Sequence, residues 1–150
     1  MYPIVLSLHN LLRWVVLAAA VVAVLRALAG WLGSKPWTPA SAGPGRLYTI
    51  VLDVQFLIGI LLYGVLSPIT RSAFADMGAA MGQRDIRFFV AEHAVTMILA
   101  VAFAHMGKAL APKAATDAGR WRRATLWYGA SLLLILGGMP WWRPLLRFGA

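Results

Sequence analysis

The sequence contains no cysteine, and charged residues make up only 13% of its 150 positions. The missing thiols exclude disulfides, thiolate-bound zinc, cysteine-held iron–sulfur clusters and covalent haem attachment through a CxxCH motif. Acid is scarcer than base, with five Asp and Glu against fourteen Lys and Arg, so the net charge is +9. A soluble domain carries about 25% charged residues, and a mean hydropathy of +0.73 places this chain in a lipid bilayer instead. There is no Gly-rich phosphate loop and no basic–aromatic ladder, so the positive charge does not point to nucleic acid. HExxH, GxSxG and paired-Asp signatures are also missing. Any catalysis by such a chain would be redox chemistry on a bound cofactor.

What is present is long apolar runs. Four segments, residues 4–32, 48–66, 87–110 and 124–142, approach the roughly 20 residues a helix needs to cross hydrocarbon. The expected fold is therefore all-α, a single domain over residues 1–150 built as a bundle of four transmembrane helices. The N-terminus has no basic residues before its apolar run, so it reads as a retained helix rather than a cleaved signal. The connection GSKPWTPASAGPG between the first two segments is a Pro- and Gly-rich loop. The stretch around residues 72–81 fits one short surface helix. Asp76 and Asp85 lie in this second connection.

The distribution of base sets the orientation. Arg26, Lys35, Arg46, Lys108, Lys113, Arg120, Arg122 and Arg123 fall in the first and third connections, eight in all. The other side holds six: Arg13, Arg71, Arg84, Arg87, Arg143 and Arg147. The positive-inside rule then puts both termini outside, on the periplasmic side of a bacterial inner membrane. Trp141 and Trp142 suit an aromatic belt on that side, and Trp121 and Trp127 one on the other. The basic residues between spans also suit contact with anionic membrane lipid.

Ionisable residues within spans are costly and face the bundle interior. His9 and His93 each lie about five residues into helices that start on the outer side, so they share one layer on different helices. That arrangement suits two axial imidazoles clamping one haem b. His9 and His93 are thus the candidate metal ligands. Arg13 and Arg87 lie near the same layer as candidate partners for haem propionates, and Glu92 suits pairing with Arg13. The plain alternative is that His9 faces interfacial water and His93 hydrogen-bonds across helices. His105 follows His93 by 12 residues, which at about 100° per residue turns it off the same face. With only three histidines, a second bis-histidine haem is excluded. His105, Asp53 and Arg26 fit an inner polar cluster, either a proton relay or quinone-site group or an interhelical bond that fixes packing. Met97, on the His93 face, fits a pocket wall or simple filling. Gly59, Gly64, Gly129, Gly137 and Gly138 fit close helix approach, and Pro140 a helix end.

Four stretches carry a resemblance: LHNLLRW at 8–14, RFFVAEH at 87–93, AHMGK at 104–108 and GGMPWWRP at 137–144. They resemble small four-helix bacterial integral membrane proteins labelled cytochrome b-like, over most of the chain. The family pattern has His-x-x-x-Arg-Trp early, Arg-Phe-Phe-x-x-Glu-His before the third helix, and Ile-Pro-Trp-Pro near the end. His9, Arg13, Trp14, Arg87, Phe88, Phe89, Glu92, His93 and Pro140 match it. Met139-Pro140-Trp141-Trp142 departs from the usual ending. The resemblance implies haem b and electron transfer, and implies nothing about a substrate. The expectation is a membrane-embedded electron-transfer protein working with a respiratory or photosynthetic complex, with quinone as a possible partner. The alternative is a cofactor-free accessory subunit of such a complex.

Overall fold

The structure, a computed structural model, describes residues 1–143. Pro144 of the ending motif and Arg147 of the charge count lie outside the described residues. Seven α-helices follow in order: α1 (Tyr2–Leu32), α2 (Gly43–Leu61), α3 (Pro68–Ala75), α4 (Met77–Gly82), α5 (Arg84–Arg87), α6 (His93–Leu110) and α7 (Asp117–Gly138). A 3₁₀ turn at Pro39–Ala42 leads into α2, and π-helical turns occupy Leu62–Leu66 and Phe88–Glu92. Among the described residues there is no strand.

Three helical stretches are long and apolar enough to cross a membrane: Tyr2–Leu32, Pro39–Leu66 and Arg84–Leu110. At 31 residues, α1 is about 46 Å long, more than the hydrocarbon thickness. The fourth long helix, α7, is not among them, because Asp117, Arg120, Arg122 and Arg123 occupy its first turns. It also stops at Gly138, short of the expected end at residue 142. Met139 is already extended (φ −80°, ψ 132°), as the residue before Pro140 is driven to be.

The long helices pack through one repeated spacing. Buried positions on α1 are Arg13, Val16, Ala20, Ala23, Ala27 and Gly30. On α7 they are Trp121, Ala124, Tyr128, Ser131, Ile135 and Gly138. Both sets advance by alternating steps of three and four, the seam of helices crossing at a shallow angle. α7 and α2 each pack against both α1 and α6, so α1 and α6 face one another across the bundle. The seam residues are small on α1 and α6, with Ala20, Ala100 and Ala104 fully buried. Large aromatic side chains from the neighbouring helices fill the space. Tyr48 and Tyr128 meet edge to face at 5.9 Å. Tyr48 Oη lies 2.5 Å from Ser131 Oγ, and Ser131 donates to the Ala100 carbonyl at 2.6 Å.

Two expectations about glycine and tryptophan change. Gly64, Gly129 and Gly137 have open space where a Cβ would sit, so they mediate no close approach. The tight glycines are Gly30 under the Trp121 ring, Gly45 and Gly107 under Tyr128, and Gly138 against Thr96 and Met97. Trp121 is therefore a core residue, 6% exposed, with its indole N–H bonded to the Lys35 carbonyl at 2.8 Å. It lies inside the bundle because the facing glycine leaves room for it, not in an interfacial belt. The single surface helix expected around residues 72–81 is instead broken at Asp76. That residue leaves helical geometry and caps α4, accepting from Ala79 N at 2.9 Å.

These contacts predict opposite outcomes at two glycines. Gly30→Ala should lower stability by about 1–3 kcal/mol, the cost of overpacking a filled core. Gly129→Ala should be neutral or slightly stabilising, since Ala is the better helix former. Unfolding titrations of both variants in mixed micelles measure the difference.

Candidate functional site

The close-packed seam does not run the full length of the bundle. At the end where α1 and α6 begin, the helices line an open-sided cavity of about 540 Å³, within the range of cofactor and ligand sites. Its walls are mostly apolar, and the polar side chains that line it include His9, Arg13, Gln55, His93 and Arg143. Among the described residues no carboxylate lines it.

His9 from α1 and His93 from α6 face each other here, with ring centroids 6.5 Å apart and planes at 76°. Each continues its helix's seam: His9 stands four residues before Arg13, and His93 seven before Ala100. His93 Nδ1 donates to the Gly138 carbonyl at 2.7 Å. A carbonyl can only accept, so the proton sits on Nδ1 and the Nε2 lone pair is free. The ring's orientation is thereby fixed by the last turn of α7. On the other wall, Gln55 Nε2 donates to the His9 carbonyl at 3.0 Å. A Cβ on Gly59 would stand 3.4 Å from His9 Cε1, in van der Waals contact, so the imidazole rests against this part of α2 and a longer side chain there would meet it.

Several polar atoms at this site are buried and have no hydrogen-bond partner among the described residues: His9 Nδ1, Arg13 Nε and Nη2, and Gln55 Oε1. Such orphans are rare in folded proteins and call for a reason. Arg13 is only 7% exposed and meets no carboxylate among the described residues. Its guanidinium carbon stands 5.5 Å from the Trp14 ring centre. The second cation on the wall, Arg143, lies over the Phe89 ring at 4.2 Å. Among the described residues this end of the cavity therefore carries two cations and no anion.

Arg87 and Glu92, both expected near this layer, are taken up elsewhere. They pair with each other at 2.9 Å, half-exposed and away from the cavity. The cause is the π-helical turn Phe88–Glu92, whose i→i+5 geometry stacks residues five apart. An α-helical phase assigns those side chains to a different face. Glu92 therefore does not reach Arg13.

Of the expected inner cluster, His105 and Asp53 come together, with Nε2 and Oδ1 2.8 Å apart. The pair lies on the outer surface of α6 and α2, its side chains 44% and 42% exposed. Arg26 takes no part in it. Among the described residues Arg26 makes no ion pair or hydrogen bond, and it lines a different, smaller cavity. Met97 lines the larger cavity. Among the described residues no group of three or more His, Asp or Glu side chains is placed to hold a metal ion. His9 and His93 are a pair, one short of such a group.

Sequence reasoning passed over Gln55 and Arg143. Gln55 had a signal, since an amide in the middle of VLDVQFLIG needs a buried partner. Arg143 had none, because only the chain's return past Pro140 brings it to Phe89. No protein-family model, curated protein or solved structure matches this chain, so what the site does must follow from its own geometry.

The orphaned cation leads to one expectation. A buried, unpaired charge stabilises nothing by itself, and replacing it by an apolar side chain of similar length is often favourable. Arg13→Met should leave the ligand-free protein as stable as the parent, or raise its stability by about 1 kcal/mol or more. Thermal unfolding of protein freed of bound small molecules checks this.

Proposed function

We propose that the chain is a membrane-embedded b-type haem protein, with His9 and His93 as axial ligands. The observation that carries this reading is the pair of imidazoles facing each other across the cavity, 6.5 Å between centroids. Metal–imidazole bonds of about 2 Å, with about 1 Å more from nitrogen to ring centre, separate two axial rings by about 6 Å. A haem held by His9 and His93 would supply reversible one-electron transfer. The protein's own part is fourfold. His93 is held in the Nε2-ligating tautomer by Gly138. Gly59 lets His9 rest against α2. The apolar wall excludes water, and Arg13 with Arg143 offers counter-charge to carboxylates at one edge. Arg143 takes the place that the sequence assigned to Arg87.

We read α7 as the fourth span. Its apolar part from Ala124 onward packs against α1 and α6, and its arginines stay at one end. With the basic balance of the connections, both termini and the haem layer lie toward the periplasm of a bacterial cytoplasmic membrane. Electrons would pass between a lipid-soluble quinol pool and a larger respiratory or photosynthetic complex.

The test is a reduced-minus-oxidised visible spectrum of protein purified in mild detergent, with haem quantified per chain. The expected result is a sharp b-type α-band at about one haem per chain. His9→Ala and His93→Ala should each lose or strongly shift it, Gly59→Leu should lower haem content several-fold, and His105→Ala should keep it. A flat spectrum from folded protein, or equal pigment in all variants, overturns the assignment and leaves a cofactor-free accessory subunit.

A further inference from the structure

At the end of the bundle away from His9 and His93 lies a second cavity of about 240 Å³. Arg26 of α1, Arg46 of α2 and Lys108 of α6 all line it, and among the described residues no Asp or Glu does. None of the three cationic groups has an ion pair or hydrogen bond among the described residues. All three are exposed at the rim of the cavity, so water screens them from one another, and an anion there would meet cations from three separate helices.

A fourth group points the same way. Tyr128 is 6% exposed, and its hydroxyl makes no hydrogen bond among the described residues. The hydroxyl is the atom nearest to where a Cβ of Gly45 would sit, and both residues line the cavity. A phenol with its hydroxyl left open to a cavity is a donor awaiting an acceptor. The first turn of α2 borders the same space, and its N-cap residue Ala42 provides no side-chain cap. All of these groups donate hydrogen bonds or carry positive charge. The remaining wall is apolar apart from Ser41, whose hydroxyl pairs with Thr38, and includes Trp37 and Trp121 edge to face at 4.6 Å.

We propose that this cavity binds a phosphate oxyanion held by Arg26, Arg46, Lys108 and the Tyr128 hydroxyl. It lies at an end of membrane-length helices and has an apolar wall of Trp and Ala side chains, so the phosphate is that of an anionic phospholipid headgroup. Basic pockets between spans take such headgroups. The site is independent of the haem reading, because it uses none of the same residues.

Native mass spectrometry of the full chain in mild detergent, titrated with phosphatidylglycerol or with phosphatidylcholine, tests it. The parent should retain phosphatidylglycerol in preference to phosphatidylcholine. Arg26→Gln and Arg46→Gln should each lower that retention about fivefold. Tyr128→Phe keeps the ring against Gly45 and Gly107 and should lower it by a smaller factor. Lys113→Gln and Arg122→Gln remove the same charge outside the cavity and should leave retention unchanged. Inorganic phosphate alone is the second arm. If millimolar phosphate raises the melting temperature of the parent but not of Arg26→Gln, and displaces the lipid, the site stands with a soluble oxyanion as its ligand. Equal retention of the two lipids with no phosphate effect, or equal losses in the cavity and control variants, overturns the proposal.

Discussion

The rest of the structure depends on the close approach of helix backbones along the alanine–glycine seam. In hydrocarbon, helices gain little from burying apolar side chains, because lipid tails are equally apolar. Association then rests on van der Waals fit and on hydrogen bonds between helices. Ala20, Ala23 and Ala27 on α1, with Ala100, Ala104 and Gly107 on α6, keep those surfaces nearly smooth. Trp121, Tyr128 and Tyr48 fill the spaces left, and Ser131 ties α7 to both α2 and α6. This packed half is the fixed floor on which both cavities rest.

Where the seam changes from small apolar to large polar residues, the bundle opens. His9 and Arg13 continue the α1 seam toward its start, and Gln55 lies on the buried face of α2. The larger cavity is therefore a consequence of spacing: the seam positions persist, but their side chains no longer fill the interior. Four orphaned polar atoms in that region would be a net cost in a purely structural bundle. The smaller cavity follows a similar rule with charge. Its cations come from helix ends, where connections turn, and meet because α1, α2 and α6 converge there.

The two π-helical turns decide how the open end is finished. Leu62–Leu66 and Phe88–Glu92 interrupt the α-helical phase on either side of the second connection. Tyr63, within the first turn, donates to the Val90 carbonyl of the second at 2.8 Å. Thr70 donates back to the Tyr63 carbonyl at 2.7 Å. Short helices α3 to α5 pack a small core of Ala73, Ala80 and Val90 over this region. The added residue in the second turn sends Arg87 and Glu92 outward together, while His93 keeps its place on the α6 seam.

The sequence by itself determined the all-helical class, the three longest apolar helices, and the common layer of His9 and His93. Those follow from run length and from distance along a helix, which depend on local chemistry alone. It also paired His105 with Asp53, because both count to a similar depth from the same side of the bundle. Only the tertiary structure decided which glycines are close contacts, since Gly30 and Gly129 differ in what faces them. It alone turned Arg87 away, because a single π-helical turn rotates every side chain before it relative to those after. It alone brought Arg143 to the first cavity, and Arg26 to the second. Depth along an axis can be counted from residue numbers, but azimuth around it depends on neighbours that only the packed bundle supplies.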